Sequence, residues 1–537
     1  MTSPSNHVVL FDTTLRDGEQ SPGAAMTLSG KLRIARLLAE MNVDVIEAGF
    51  PISSPQQAEA VRAIIDALAS SSATICALAR AHEADVQAAA DALAGGANTR
   101  IHTFIATSDI HIGAKFSSPR FGATIAERRA SVLMMAQDAI RQAKQHTDDV
   151  EFSAEDAGRT DHGYLCEVIA AAIEAGATTI NIPDTTGYCT PADYAAMFRT
   201  VQDCCDTSGV ILSTHCHDDL GLAVANTLAG VEAGARQVEV TVNGLGERAG
   251  NASIEEVAMA LRVRADHYGV EHGLDATRLG EASELVSIVT GFSVPPNKAI
   301  VGDNAFAHEA GIHQHGVLKA RETYEIMRAE DVGASLDNIR LGRHSGRHGL
   351  FARLSAMNIE VADDQRDMVY ERFVALADRK KEVYDADLEL IADLNSTGDA
   401  ERAELSLVGL HVSTATGDAP QAEVTLHDGK TGELRVQTST GDGPVDAIYR
   451  AIDAAAGRPH HLETYSIRAL TGAADALGEA LVVVSDGPLR AQGKATHSDI
   501  LRASAEAYVE ALNGLDADEH EEGAFVQDGI MASFGQG

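Results

Sequence analysis

Val8-Val-Leu-Phe-Asp12, continued by Thr13-Thr-Leu-Arg-Asp-Gly-Glu-Gln20, is the stretch on which the fold reading turns. The first five residues form a short, nearly unbroken apolar run, the signature of a strand buried on both faces. The turn after it carries no G-x-G-x-x-G, so the fingerprint of a dinucleotide-binding open sheet is missing. It ends instead in Asp12, Arg16 and Asp17, polar groups of the kind that chemistry uses.

Working outward, the same pattern returns seven times. The runs are Val43–Gly49, Thr74–Ala79, Ile101–Ala106, Val150–Ser153, Thr178–Ile182, Val210–Thr214 and Gln237–Val242. Ala/Leu-rich helical patterns such as Ser29–Met41 and Asp161–Ala175 separate them, and Gly176 and Gly234 stand where left-handed helix caps are wanted. Strands alternating with helices pair in parallel through right-handed crossovers. Eight such units predict an α/β fold, a (β/α)8 TIM barrel over residues 1–275. A barrel keeps its active site at the C-terminal strand ends. Here those ends carry Asp12/Arg16/Asp17, Glu47, Arg80, His102, Ser153/Glu155, Asp184/Thr185, His215/His217 and Asn243. So many functional side chains at one mouth point to an enzyme rather than a structural sheet.

Residues 276–398 read as helical linker subdomains, with Asn395-Ser-Thr-Gly-Asp399 as a hinge. Residues 399–515 read as a duplicated βββα α+β domain with few convergent catalytic groups, which suits regulation. The acidic stretch 516–537 reads as a mobile tail. The chain holds 42 basic and 79 acidic residues, a net charge of −37, which argues against a nucleic-acid partner or an anionic membrane surface. No apolar run reaches the roughly 18 residues that span a bilayer, and the first residues show no secretion signal. Six cysteines without a Cys-x-x-Cys pair read as free thiols in a reducing cytoplasm.

His215-Cys-His217 follows a strand directly, and residues i and i+2 of a strand share a face, so both imidazoles reach one metal ion. A satisfied polar pair is the plainer alternative. Asp17 is the natural carboxylate for such a site, and Asn251, in Gly244-Leu-Gly-Glu-Arg-Ala-Gly-Asn251, offers an amide oxygen. That glycine-rich loop also reads as a phosphate cradle or a tight turn. Mixed nitrogen and oxygen donors leave Mn²⁺, Mg²⁺, Zn²⁺ and Fe²⁺ open. Arg16 beside Asp17 suits stabilisation of an oxyanion; the alternative is a loop ion pair with Glu47 or Glu19.

The Asp12–Gln20, Glu155-Asp-Ala-Gly-Arg159, His215–Leu222 and Gly246–Asn251 segments together resemble the metal-dependent acyl-CoA condensing and lyase superfamily. Glu47–Pro55, Arg100–Ser108, Asn181–Gly187, Asn297–Gly302 and Gly311–Leu318 are similar to segments of the 2-isopropylmalate synthase family. Gly441–Asp446 and Ser498–Leu501 resemble its leucine-sensing domain. The resemblance implies an acyltransferase that condenses acetyl-CoA with 2-oxoisovalerate (3-methyl-2-oxobutanoate), giving 2-isopropylmalate and CoA, the first committed step of leucine biosynthesis. It implies Asp17, His215, His217 and Asn251 as metal ligands, with Mn²⁺ or Mg²⁺ ahead of Zn²⁺. It implies Arg16, His102, Ser153 and Thr185 at the 2-oxoacid, and Arg16, Glu155, His313 and Tyr324 as catalytic groups. It further implies leucine as effector and a homodimer or higher homo-oligomer, in which His313 and Tyr324 cross between subunits.

Two features leave room for other readings. His315 stands where many relatives carry an acidic residue, and Arg343-His-Ser-Gly-Arg347 resembles a stretch of homocitrate synthases. Citramalate and homocitrate synthesis are the alternatives within the fold, and a non-catalytic amino-acid sensor the alternative outside it.

Overall fold

A computed structural model of the chain describes residues 6–308, 310–334, 345–357, 359, 361–362, 365–377, 388, 391–392, 405–469, 478–487 and 489–531. The chain divides into two compact units, Met1–Asp393 and Leu394–Gly537.

The first unit is built on a closed barrel of eight parallel strands: β1 (Val9–Asp12), β2 (Val45–Gly49), β3 (Thr74–Arg80), β4 (Thr99–Ala106), β5 (Asp149–Glu155), β6 (Thr179–Asp184), β7 (Ile211–Cys216) and β8 (Gln237–Val240). Each of the eight apolar runs is one of these strands. The barrel closes where β1 lies parallel to β8, with Val9 opposite Gln237 and Asp12 opposite Val240. All five residues of β2, all six of β6 and all four of β8 are buried, as parallel strands covered on both faces must be.

Outside run α1 (Leu28–Glu40), α2 (Pro55–Ala67), α3 (Glu83–Leu93), α4 (Asp109–Lys115), α5 (Ile125–Ala143), α6 (His162–Ala175), α7 (Pro191–Cys204), α8 (Ala223–Glu232) and α9 (Ile254–Val263). Their starts are set by side chains that accept from free backbone N–H groups: Thr27, Ser54, Asp161, and the capping boxes Thr124/Glu127 and Thr190/Asp193. Such a cap is worth about 1 kcal/mol. The glycine expected to end α6 does so, with Gly176 at φ 107°. Helix α4 is an extra helix of seven residues inserted between β4 and α5, and it bears on the site below.

Beyond the single turn α10 (Ala265–Tyr268), α11 (Leu279–Thr290) packs Leu279, Ala282 and Val286 onto the barrel's apolar core. Helices α12 (Gly311–Lys319), α13 (Arg347–Ala356) and α14 (Arg366–Ala377) follow, so the described part of 276–377 is largely helical. The expected hinge at 395–399 lies outside the described residues.

In the second unit, β9 (Leu405–Ser413), β10 (Gln421–Asp428) and β11 (Glu433–Thr440) form one antiparallel sheet, and β12 (His461–Ala469), β13 (Gly478–Asp486) and β14 (Leu489–His497) another. Each sheet is followed by a helix, Pro444–Ala456 and Ile500–Met531, which gives the duplicated βββα pattern. The two helices and the inner strand faces share one core, where Tyr449 stacks on Tyr508 at 4.2 Å. The last helix runs on to Met531, through the acidic stretch expected to be a mobile tail. Alanine and glutamate favour helix strongly, and no proline interrupts them.

One reading of the cysteines is corrected. Cys166 and Cys204 form a disulfide that joins α6 to α7, while Cys76, Cys189, Cys205 and Cys216 are free. The pair is 38 residues apart in sequence, and only the side-by-side packing of the two helices brings it within bonding reach.

Candidate active site

The mouth of the barrel gathers polar groups from all eight strands or the turns that follow them. After β1, Asp12 accepts from the backbone N–H and the hydroxyl of Thr14 (both 2.9 Å) and so folds the turn that follows. That turn sends Arg16 and Asp17 inward. Arg16 donates through Nε to Glu47 on β2 (2.6 Å) and through Nη1 to Asp17 (3.0 Å). The ion pair considered for Arg16 is therefore with Glu47, whereas Glu19 pairs with Lys31 (2.6 Å).

Asp17 Oδ2 lies 3.7 Å from His215 Nε2 and 3.9 Å from His217 Nε2, and the two Nε2 atoms are 3.1 Å apart. All three side chains are buried, and their donor atoms lie within 4.8 Å of one another. Burial pushes both imidazoles down to about 4, so both are neutral near pH 7 and keep a lone pair for a ligand. Burial alone would raise the Asp17 carboxyl; Arg16, His215 and His217 outweigh it and hold it well below the usual carboxylate range. The carboxyl of Glu239, on β8, sits 2.7 Å from Nδ1 of His215, so Nδ1 is engaged within the protein and Nε2 is left for the shared point.

Asn251 completes the group. Its N–H donates to the Gly244 carbonyl (2.9 Å) and its Nδ2 to the Leu245 carbonyl (3.1 Å), while its Oδ1 is buried without a hydrogen-bond partner among the described residues. An antiparallel bridge to His217 brings the two residues side by side. The glycines are what allow this. A Cβ on Gly246 would stand 2.1 Å from Asn251 Nδ2 and 3.2 Å from Asp17 Oδ1, and one on Gly250 would stand 2.0 Å from the Gly244 carbonyl. The loop is thus folded tightly onto Asn251 rather than opened as a phosphate cradle. Two neutral imidazoles and one carboxylate at one buried point, with an orphaned amide oxygen on the adjoining Asn251, fit a divalent ion.

A second line of groups runs from β2 to β6. His102 contacts Glu47 through Nδ1 (2.8 Å) and Ser153 through Nε2 (2.6 Å), and Asn181 Nδ2 donates to the same Ser153 oxygen (2.8 Å). Burial opposes the charged imidazolium, but Glu47 outweighs it and lifts His102 to about 9. Burial likewise opposes the Glu47 carboxylate, and Arg16 and His102 bring it down to about 2. A protonated His102 donates to Ser153, so Ser153 accepts twice and its own O–H is left to donate outward. Both ring nitrogens of His102 are engaged in the protein, so its influence on a substrate oxygen runs through Ser153. Thr185 accepts from the Asp156 N–H (2.9 Å), which likewise leaves its hydroxyl hydrogen to give.

Glu155, at the end of β5, meets Lys115 of α4 (2.5 Å). His313 and Tyr324 come together, with rings stacked at 4.2 Å, and His308 joins them at 6.2 and 6.3 Å. Among the described residues, no hydrogen bond, ion pair or ring contact links this pair to the barrel cluster. Arg80, an extra cation at the mouth, is paired with Asp85 (2.6 Å). A cavity of about 230 Å³ adjoins the Asn251 loop, lined by Leu245, Gly246, Arg248, Phe292, Pro295 and Lys298 among others.

Glu239, Asn181 and Gly246 were not anticipated as parts of the site. A carboxylate alternating with valines in Gln237-Val-Glu239-Val is the signal that marks Glu239, since an acid on a buried strand needs a partner.

Comparison with known proteins identifies the family of the chain. The family described as HMGL-like matches residues 7–286, the homocitrate synthase post-HMGL domain-like family residues 300–381, and the LeuA allosteric (dimerisation) domain residues 382–515. The chain is 56% identical to a 2-isopropylmalate synthase of Salinibacter ruber over 99% of this chain and 100% of that one. It is 52% identical to a 2-isopropylmalate synthase of Aromatoleum aromaticum over 95% of this chain and 98% of that one. Among solved structures it is similar to an HMG-CoA lyase from Brucella melitensis, at 24% identity and a TM-score of 0.44, over 53% of this chain and 99% of that one. The HMGL-like barrel, the allosteric domain and the near full-length identity together place the chain in the 2-isopropylmalate synthase family.

Proposed function

We propose that this site joins the acetyl group of acetyl-CoA to 2-oxoisovalerate and releases CoA and 2-isopropylmalate. The observation that carries the reading is the convergence of Asp17, His215 and His217, with the unpartnered amide oxygen of Asn251, directly beside Arg16. These four residues would hold a divalent ion, Mn²⁺ or Mg²⁺ from the oxygen-rich part of the set, and such an ion supplies Lewis-acid polarisation of a ketone. Arg16, already aimed by Glu47, neutralises the negative charge that grows on the ketone oxygen as carbon attacks it. One such donor is worth about 3–4 kcal/mol in a transition state. Ser153 and Thr185 give their free hydroxyl hydrogens to the carboxylate of the 2-oxoacid.

The acetyl methyl must lose a proton before it attacks. Glu155 stands at the mouth to move it, with His313 and Tyr324 supplied by a second copy of the chain. The cavity beside the Asn251 loop, faced by Leu245, Phe292 and Pro295, suits the apolar arm of the thioester. After the carbon–carbon bond forms, the alkoxide takes a proton, and water cleaves the thioester to free the thiol. The chain works as a homodimer in the cytoplasm, and leucine, bound by the second unit, inhibits it. No helix among the described residues is long and apolar enough to cross a membrane.

The match of residues 300–381 to the homocitrate synthase domain keeps 2-oxoglutarate in view. That substrate needs a further cation, and Arg80 is already held by Asp85. The test is thiol release from acetyl-CoA with Mn²⁺ or Mg²⁺ against 2-oxoisovalerate, pyruvate, 2-oxobutyrate and 2-oxoglutarate, with and without leucine. Preference for 2-oxoisovalerate, lost on chelation and lowered by leucine, is expected. Preference for another oxoacid would move the substrate, and no release would overturn the condensation.

A further inference from the structure

We infer that α4, the helix inserted after β4, is a positioning element for Glu155, acting through Lys115 and His111. This rests on the reading of Glu155 as the group that moves the acetyl proton. The backbone under Glu155 is clamped from both sides. Its carbonyl accepts from the N–H (2.9 Å) and hydroxyl (3.1 Å) of Thr107 on one side. On the other, the N–H of Asp156 donates to Thr185 (2.9 Å). Asp156 is buried at φ 64°, a left-handed conformation rare for a residue with a side chain. Its carboxylate is taken up by Ser108 (2.5 Å) and by two donors of Arg159 (both 2.9 Å). With the backbone held, the freedom left to Glu155 is rotation of its side chain.

Helix α4 limits that rotation. Lys115 Nζ is 2.5 Å from Glu155 Oε1. His111 Nδ1 lies 3.8 Å from the same oxygen, and its Nε2 3.8 Å from Asp156 Oδ2. Nδ1 of His111 is buried and makes no hydrogen bond among the described residues, so it faces Glu155 with capacity to spare. The helix is tied to the same turn: Ser108 caps it by accepting from the His111 N–H (3.2 Å) while donating to Asp156. The carboxylate, its turn and the side chains of Lys115 and His111 therefore form one unit. Lys115 is 47% exposed, so a surface side chain fixes a group inside the mouth.

The experiment uses the full-length protein with Mn²⁺, acetyl-CoA and 2-oxoisovalerate. It compares Lys115→Met, Lys115→Arg, His111→Phe, Glu155→Gln and the Lys115→Met/Glu155→Gln double variant. Lys115→Met is expected to lower kcat on the order of tenfold to a hundredfold, as misplacing a reacting group does. KM for the oxoacid and Mn²⁺ affinity should stay as in the parent. Lys115→Arg should restore most of the rate, and His111→Phe should lower kcat in the same selective way. The double variant should be no slower than Glu155→Gln alone, because residues that act as one unit are not additive. Parent-like turnover by Lys115→Met, or losses that multiply in the double variant, would overturn the inference while leaving Glu155 its role. Parent-like turnover by Glu155→Gln would remove that role and the inference with it.

Discussion

Glu239 Oε2 lies 2.7 Å from Nδ1 of His215, at the proposed metal site, where both side chains are buried. The contact fixes which imidazole nitrogen is left for the ion, and it also fixes the plane of the ring. Glu239→Ala is expected to weaken Mn²⁺ binding about 10–100-fold, the usual cost of losing such a support. Glu239→Gln keeps an acceptor and should lose less. Calorimetric titration with Mn²⁺ checks both. Unchanged affinity in Glu239→Ala would mean that His215 is oriented by the strand alone.

Gly246 makes a different demand on the same site. A methyl group there would overlap Asn251 Nδ2 at 2.1 Å, and Gly246 is itself buried, though it lies on the loop after β8 and not in a barrel strand. Gly246→Ala is therefore expected to leave the barrel folded, with a modestly lowered melting temperature. Its Mn²⁺ affinity and its turnover should both fall sharply, because the clash displaces the Asn251 amide. Parent-like Mn²⁺ affinity together with parent-like turnover would show that the Asn251 amide is not a ligand.

How much of this was legible in the sequence follows from what each feature depends on. The barrel was legible because a strand buried on both faces is written locally, as in Val8–Asp12 and Gln237–Val242. His215 and His217 were legible because their spacing of two is itself the geometry. Glu239 and Asn181 were not, since their partners, His215 and Ser153, are 24 and 28 residues away and meet them only through barrel closure. The same applies to Cys166 and Cys204, which α6 and α7 bring together. His102 was legible as a polar strand end, but not as a link between Glu47 and Ser153.

That link sets a pH dependence. His102 is lifted from 6.5 to about 9, so its stabilising contribution is complete below 6.5 and is lost as pH rises through about 9. Glu47 is lowered from 4.5 to about 2, so its contribution is present above 4.5 and is lost as pH falls through about 2. Once His102 loses its proton, Nε2 becomes an acceptor and claims the Ser153 hydroxyl hydrogen meant for the substrate. Turnover should therefore fall as pH passes about 9. Glu47→Gln should shift that fall to lower pH, and the excess in melting temperature of the parent over the variant should shrink between pH 7 and pH 9.5. A titration of His102 by NMR with its midpoint unmoved in Glu47→Gln would break this account.

Among the described residues the second unit has its own core of twenty buried apolar side chains, drawn from both sheets and both helices, so it has the means to fold and bind by itself. A chain ending at Asp393 is expected to keep its Mn²⁺ affinity, because every proposed ligand lies in the first unit. Leucine should have no effect on it. Conversely, residues 394–537 alone should bind leucine in a calorimetric titration, without Mn²⁺ or acetyl-CoA. Leucine still inhibiting the shortened chain would place the effector site on the barrel unit, and the duplicated βββα domain would then serve assembly alone.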